Sequence, residues 1–203
     1  MPLGEFDLIS RYFARPARRA ALGVGDDCAL LAPAPGMQLA TSCDMLVEGR
    51  HFLPTVAPDR LGHKALAVNL SDLAACGAAP LAFTLALAMP YADEAWLEGF
   101  ARGLFALADV HACELVGGDT TRGPLNLCIS VFGEVPAGQA LLRSGARAGD
   151  DLYVSGTLGR RRRLFGRALR RAPGQRHQRH GRSRGQVGRR GRRRDQSPGG
   201  RRV

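Results

Sequence analysis

The chain has 203 residues and a formal net charge of +11 at pH 7, from 29 basic and 18 acidic side chains. The positive excess belongs to residues 160–203, which hold 18 arginines and the single acid Asp195, whereas residues 1–159 hold 11 basic and 17 acidic residues. This acidic body is long enough to bury a core, and its longest apolar run, residues 81–90, is too short to cross a bilayer as a helix. No membrane association is therefore predicted.

The cysteines point to a reducing compartment. There are five, they are scattered, and none forms a C-x-x-C pair. The N-terminus lacks the basic-then-apolar pattern of a signal peptide. An odd number of unclustered thiols is typical of a reduced protein rather than one built on disulfides or zinc. We therefore expect a cytoplasmic protein.

Apolar periodicity predicts helices and strands in a mixed order. Helices are predicted at 5–13, 58–76 and 93–111, and strands at 28–31, 37–42, 81–89, 114–116, 125–135 and 151–155. Pro58 suits the first turn of the second helix, and Gly77 suits its end. Because the elements do not alternate regularly as in a βαβ fold, the predicted class is α+β, a mixed sheet packed by helices.

Residues 160–203 differ from the rest in composition. They are rich in arginine and glycine, contain no lysine and show no apolar periodicity. Such a segment buries too little surface to offset its ordering entropy, so we expect disorder. Arginine, glycine and proline without lysine are what a GC-rich gene yields out of frame, and we favour that origin. The alternative is a real basic arm that binds nucleic acid non-specifically through phosphates.

Four acidic motifs lie in the first 120 residues. They are Gly-Asp-Asp at 25–27, Ser-Cys-Asp at 42–44, Asn-Leu-Ser-Asp at 69–72 and Gly-Gly-Asp at 117–119. Gathered carboxylates repel one another without a cation, and magnesium on a polyphosphate takes a few carboxylates plus phosphate oxygens and water. The motifs together therefore predict a magnesium-phosphate site. Taken singly, Gly-Asp-Asp is also typical of a turn, and Asp72 of an exposed helix position.

Other common nucleotide and hydrolase motifs are absent from the sequence. The only lysine, Lys64, is not in a G-x-x-x-x-G-K-[ST] loop. Gly23-Val24-Gly25 lacks the third glycine of a dinucleotide fingerprint. No G-x-S-x-G or H-E-x-x-H occurs. Serine-hydrolase and zinc-enzyme functions therefore have little support.

Six segments resemble thiamine-monophosphate kinase in the order and spacing of that family. They are GEFDLI at 4–9, GVGDDCA at 23–29, GRHF at 49–52, KALAVNLSDLAA at 64–75, GGDTTRG at 117–123 and RSGA at 143–146. The resemblance covers residues 1 to about 159. It implies the N-terminal α+β domain of the aminoimidazole-ribonucleotide-synthetase superfamily, which dimerises by sheet pairing with ATP bound near the interface. It also implies ATP-dependent phosphorylation of thiamine monophosphate to thiamine diphosphate.

The resemblance further implies roles for individual residues. Asp27, Ser42, Asp44, Asp72 and Asp119 match magnesium ligands; Gly118, Asp119 and Arg143 match ATP contacts; and His51 matches a substrate contact. No side chain is assigned a catalytic role, because the acceptor is already an anionic phosphate monoester and positioning supplies most of the rate. Cys43 departs from the family's usual threonine. The change is harmless if that position serves through its backbone carbonyl, but not if it serves through the side-chain hydroxyl.

The predicted domains follow from the same resemblance. Residues 1–150 form the ATP- and magnesium-binding domain, 151–159 begin a second domain, and 160–203 are the arginine-rich tail. The family continues into a second α/β domain, so we expect this chain to be truncated and impaired. One alternative is another ATP-using enzyme of the superfamily, such as a ligase or a selenophosphate-type synthetase. The other is a non-catalytic nucleic-acid-binding fragment.

Overall fold

The computed structural model describes residues 4–151 and 153. In chain order the elements are α1 (Glu5–Leu8), a π-helical turn (Ile9–Phe13), β1 (Met37–Val47), α2 (Pro58–Ala75), β2 (Ala79–Met89), α3 (Glu94–Val110), β3 (Glu114–Arg122), β4 (Asn126–Pro136) and a 3-10 turn (Arg143–Gly145). The predicted α+β class is confirmed. The predicted tail and most of the predicted strand at 151–155 lie outside the described residues, and the domain boundaries stay predictions.

The four strands form one sheet in the order β1-β4-β2-β3. Strand β4 is antiparallel to β1 and to β2, whereas β2 and β3 are parallel. Alternate residues of β4 are fully or almost fully buried, as its period-two pattern predicted. These residues, Leu127, Ile129, Val131 and Val135, belong to the main core, to which α2 and α3 also contribute. One face of the sheet is therefore covered by helices.

Local signals set the ends of the two long helices. Pro58 occupies the start of α2, and Gly77, with φ of 73°, follows its C-terminal cap. The side chain of Asp93 accepts a hydrogen bond from the Trp96 backbone N–H at 3.1 Å and caps α3. Both predicted helices are confirmed to within a residue at each end. No helix in the described ranges is long and apolar enough to cross a membrane.

Glycines allow α2 and α3 to pack closely. A Cβ on Gly62 would lie 2.1 Å from the carbonyl oxygen of Phe100, and one on Gly103 would lie 1.9 Å from that of Asp59. Neither position can hold a side chain without separating the helices, because real Cβ atoms do not approach backbone so closely. The two helices therefore pack with their backbones in close contact.

Three predicted strands differ from the structure, one of them being the strand predicted at 37–42, which continues to Val47 and so includes the Ser-Cys-Asp motif. The strand predicted at 28–31 is wrong: Leu30 forms only an isolated bridge with Leu22, because no strand of the four-stranded sheet pairs with this segment. The strand predicted at 114–116 continues to Arg122, and the Gly-Gly-Asp motif lies inside β3 rather than after it. An irregularity in the β2–β3 register at Phe83 and Thr84 accommodates this extension.

Candidate functional site

Ser42 and Asp72 are in direct contact between strand β1 and helix α2. The Ser42 hydroxyl donates a hydrogen bond to Oδ2 of Asp72 at 2.6 Å. Ser42 lies opposite the buried Val131 in the register, and Asp44 lies opposite the buried Ile129. Both therefore share the sheet face that α2 covers, and the sequence motifs at 42–44 and 69–72 form one group of oxygen atoms.

Asn69 joins the same two elements and is a site residue that the sequence did not single out by itself. It is fully buried, its Oδ1 accepts a hydrogen bond from the Asp44 backbone N–H at 3.1 Å, and its Nδ2 donates to the Ala65 carbonyl at 3.0 Å. Both ends of the amide are thus satisfied. The available signal was a polar residue within the apolar run of α2.

A second group of acids surrounds a cavity of about 460 Å³ beside β3. Its polar wall contains Asp26, Asp27, Gly117, Gly118, Asp119 and Thr120, and its apolar wall includes Phe6, Ile9 and Phe13. The loop motif at 25–27 and the strand motif at 117–119, distant in sequence, therefore meet at one cavity. The contribution of α1 and the π-helical turn to that cavity had no sequence signal beyond amphipathic spacing.

Gly118 is required by the backbone packing of this wall. Its φ is +153°, and a Cβ there would lie 1.9 Å from the carbonyl oxygen of Leu85 on β2. Gly117 is less restricted, since its Cβ would meet only the Thr84 side chain at 3.9 Å. The two glycines differ in role: Gly118 permits the close approach of two strands, and the motif is not explained by ligand contact alone.

The two acidic groups lie on opposite edges of the sheet. In the register, Asp44 aligns with Ile129 and Leu85, which are buried, whereas Asp119 aligns with Ala86, Cys128 and Met45, which are not. The side chains of Asp44 and Asp119 therefore face opposite sides of the sheet. Three strand spacings separate β1 from β3, about 14 Å. Among residues 4–151 and 153, no three His, Cys, Asp or Glu side chains are grouped to hold a metal.

The donor chemistry nevertheless fits magnesium. Both groups supply carboxylate oxygens, with a hydroxyl at Ser42, and Asp27, Asp72 and Asp119 are exposed. Magnesium is commonly held by one or two carboxylates plus substrate phosphates and water, rather than by a closed protein cage. Each acidic group therefore has the donors for a metal bound together with a phosphate.

His51 is fixed in the turn that follows β1. Its Nδ1 accepts a hydrogen bond from the Val47 backbone N–H at 3.0 Å, and Gly49, with φ of 73°, forms the turn. The Lys64 ammonium donates to the His51 carbonyl oxygen. Because Nδ1 accepts, the proton of the neutral ring is on Nε2, which makes the exposed end of the imidazole a donor.

Arg143 is not part of the cavity that contains Asp119. It lies in the 3-10 turn at Arg143–Gly145 and is exposed. The described contacts therefore do not join Arg143 to Gly118 and Asp119.

The Cys43 side chain faces away from the Ser42–Asp72 contact. Cys43 lies opposite Ser130 on the sheet face away from α2, in the part that residues 20–31 leave exposed (the uncovered face), and its sulfur is 3.2 Å from that of Cys128. Desolvation by burial, followed by the hydrogen bond with Cys43, raises the pKa of the Cys128 thiol to about 11. A side chain at position 43 therefore does not reach toward α2 from β1.

Comparison with known proteins identifies a family for this chain. Residues 25–135 match the family model described as AIR synthase related protein, N-terminal domain. A thiamine-monophosphate kinase of Salmonella typhimurium is 55% identical over 163 residues, covering 78% of this chain and 50% of the relative. One from Haemophilus influenzae is 45% identical over 162 residues, covering 78% of this chain and 49% of the relative.

Solved structures show the same relationship. The crystal structure of thiamine-monophosphate kinase from Stenotrophomonas maltophilia K279a superposes with a TM-score of 0.69 at 48% identity, covering 80% of this chain and 52% of that one. A structure of AaThiL complexed with AMPPCP and TMP gives a TM-score of 0.62 at 30% identity, with 72% and 47% covered. The chain spans about half the length of the relatives it matches.

Proposed function

The chain belongs to the AIR synthase related family, and on that premise we propose that it acts in thiamine-monophosphate kinase chemistry. The reaction is transfer of the γ-phosphoryl group of ATP to thiamine monophosphate, giving thiamine diphosphate and ADP. The observation that carries the proposal is the cavity where the 25–27 and 117–120 segments meet. Similarity to AaThiL, which was complexed with AMPPCP and TMP, supports these two ligand classes.

Magnesium is the cation that this donor set fits. Asp27 and Asp119 are its candidate ligands at the cavity, and Ser42, Asp44 and Asp72 are candidates at the β1–α2 contact. When bound, the ion neutralises phosphate charge. Residues 1–159 carry more acids than bases, so two anionic ligands would be repelled in its absence.

The protein's own groups position the reactants. The acceptor phosphate is anionic near neutral pH and requires no strong general base, so alignment and charge neutralisation carry the reaction. The donor at Nε2 of His51 is suited to a polar atom or phosphate of the acceptor, and Arg143 is suited to the nucleotide phosphates. Gly118 allows the backbone of β3 to form the cavity wall.

We also propose a homodimer formed through the uncovered face of the sheet. On β1, Leu39 and Met45 are 48% and 55% exposed and lie on that face with Val47. Such an apolar stripe is typical of a surface that another chain covers. In a single copy the two acidic groups lie at opposite edges of the sheet. A second copy would also bring further acids to each group.

The proposed location is cytoplasmic, because none of the five cysteines forms a disulfide. We propose no specific nucleic-acid partner. Any such binding would be non-specific and carried by residues 160–203, and would fall steeply with salt.

The proposal is tested with two proteins, because the chain matches half of each relative. One is the 203-residue chain, and the other is this body fused in frame to the C-terminal half of the Salmonella typhimurium kinase. We expect both to bind magnesium-ATP in a calorimetric titration, and only the fusion to form thiamine diphosphate, measured by chromatography. A fusion that binds magnesium-ATP but phosphorylates an aminoimidazole precursor instead would favour a different enzyme of the superfamily. Failure of both proteins to bind magnesium-ATP would overturn the proposal.

A further inference from the structure

A second cavity adjoins the one that contains Asp119. It has a volume of about 260 Å³ and lies where strands β2 and β3 end. Its polar residues are Thr120, Thr121 and Arg122, and its other lining residues include Leu8, Met89 and Tyr91. Thr120 lines both cavities, so the two meet at this residue. Arg122 belongs to the 117–123 motif but has no role in the proposed function.

The charge of Arg122 is not neutralised by a neighbouring acid. No acidic side chain lines this cavity, and none of the ion pairs among residues 4–151 and 153 includes Arg122. The Nε atom donates a hydrogen bond to the Pro90 carbonyl oxygen at 3.2 Å. That bond fixes one edge of the guanidinium, and the two terminal nitrogens remain as donors for a ligand such as a phosphate.

Arg122 lies on the face of the sheet that the helices cover. In the β2–β3 register Arg122 aligns with Met89, which is buried in the main core. Thr120 aligns with Leu87, which is buried in the same core. Because β3 is an edge strand, Arg122 is nevertheless exposed. A second copy packed on the uncovered face, which carries Met45, therefore does not bury this arginine.

The neighbouring cavity has no positive charge of its own. Asp26, Asp27 and Asp119 line it, and no lysine or arginine does. A nucleoside triphosphate held there through magnesium keeps a net negative charge, so a fixed cation nearby favours its binding. Arg122 is three residues along β3 from Asp119, which corresponds to about 10 Å of strand. A phosphate chain that begins at the metal can therefore extend toward the guanidinium.

We propose that Arg122 and Thr120 bind a phosphate group of the nucleotide. This inference rests on the proposed function and adds two residues to the same site. The guanidinium can donate two parallel hydrogen bonds to phosphate oxygens, and the threonine hydroxyl can donate another. The ligand is the nucleotide rather than the acceptor, because Arg122 is on edge strand β3 whereas His51 follows β1 at the other edge.

The experiment measures the affinity of the full chain for magnesium-ATP by calorimetric titration. We expect Arg122→Gln to weaken binding by about tenfold or more, which corresponds to about 1.4 kcal/mol. Arg102→Gln is the matched control, because Arg102 is exposed on α3 and lines neither cavity, and its affinity should equal that of the parent. Added salt should weaken binding less steeply in Arg122→Gln than in the parent, since one charge contact is lost.

A measurement on the unaltered chain serves if Arg122→Gln does not fold, which circular dichroism reports. Phenylglyoxal modifies accessible arginines, and mass spectrometry of the digested protein locates them. Saturating magnesium-ATP should protect Arg122 and leave Arg102 reactive. Equal modification of Arg122 with and without the nucleotide would overturn the proposal.

Two results of the titration would also overturn it. One is parental affinity in Arg122→Gln, and the other is a loss of affinity with the salt dependence of the parent, which would indicate a structural role for the bond to Pro90. Either result, with magnesium-ATP bound by the unaltered chain, leaves the proposed function standing. Failure of the unaltered chain to bind magnesium-ATP would overturn both.

Discussion

The Oδ1 atom of Asn69 accepts a hydrogen bond from the backbone N–H of Asp44 at 3.1 Å, and this joins the middle of helix α2 to strand β1. Asn69 lies about one helical turn from Asp72, whose carboxylate accepts a hydrogen bond from the Ser42 hydroxyl. A buried amide therefore fixes the relative position of two acidic motifs that are separate in the sequence.

Replacing Asn69 with leucine should destabilise the protein. The change leaves the part-buried Asp44 N–H without its partner, which costs about 2 kcal/mol of unfolding free energy. Urea denaturation measures the loss. Asn126→Ala is the control, because the Asn126 amide only bonds the nearby Pro124 carbonyl, and we expect a loss below about 1 kcal/mol. Equal losses in the two variants would contradict the proposed role of Asn69.

The two glycines of the 117–119 motif should respond very differently to alanine. Gly118→Ala places a Cβ 1.9 Å from the Leu85 carbonyl oxygen and should cost about 3 kcal/mol or more, because β2 and β3 must separate. Gly117→Ala meets only the Thr84 side chain and should stay within about 1 kcal/mol. Thermal unfolding of the pair provides the comparison. If Gly117→Ala were the more damaging change, the described β2–β3 packing would be incorrect.

Asp119→Asn should weaken magnesium-ATP binding by about tenfold or more, which corresponds to about 1.4 kcal/mol of binding free energy. The reason is loss of a carboxylate charge at the cavity wall, with little change in side-chain size. Calorimetric titration at fixed magnesium measures the affinity. The control is Glu98→Gln, an equivalent loss of charge on the exposed side of α3, which should leave the affinity unchanged. Indistinguishable affinities for the two variants would remove Asp119 from the site.

Met45→Glu should dissociate the proposed dimer, because it places a charge within the apolar stripe of β1. Light scattering coupled to gel filtration gives the mass of each species. Val110→Glu adds the same charge at another exposed apolar residue, at the end of α3, and should leave the mass unchanged. A monomeric parent protein, or equal dissociation by the two variants, would rule out pairing through this face.

Alkaline pH should destabilise the protein partly through Cys113. Desolvation by burial is the main cause that raises the pKa of this thiol to about 12, with Arg19 lowering it and Glu114 raising it. The unfolded state, with a pKa near 9, loses its proton first, so stability falls as pH rises from 9 toward 12. The contribution lost between pH 9 and 10.5 is about 1.5 kcal/mol. Denaturation of the parent and of Cys113→Ala across that range should show the steeper decline in the parent; parallel declines would contradict the assignment.

Much of the architecture follows from local patterns in the sequence. The alternation along β4 and the helical spacing of α3 each reflect which side chains are buried. The strand and the helix were therefore predictable from the spacing of apolar residues along the chain. The N-cap Asp93 and the stop at Gly77 also act within a few residues. The segment at 28–31 shows the limit of such patterns, because an apolar run becomes a strand only where another strand accepts its hydrogen bonds.

The sequence by itself determined the helices, most strands, the acidic motifs and the resemblance that they carry. Only the tertiary structure decided that Asp27 and Asp119 meet at one cavity while Asp44 lies at the opposite edge of the sheet. It also decided that Cys43 contacts Cys128. The physical reason is that strand order and register are fixed by burial and hydrogen bonding between distant segments. Local periodicity specifies the face on which a residue lies, but not which strand lies beside it.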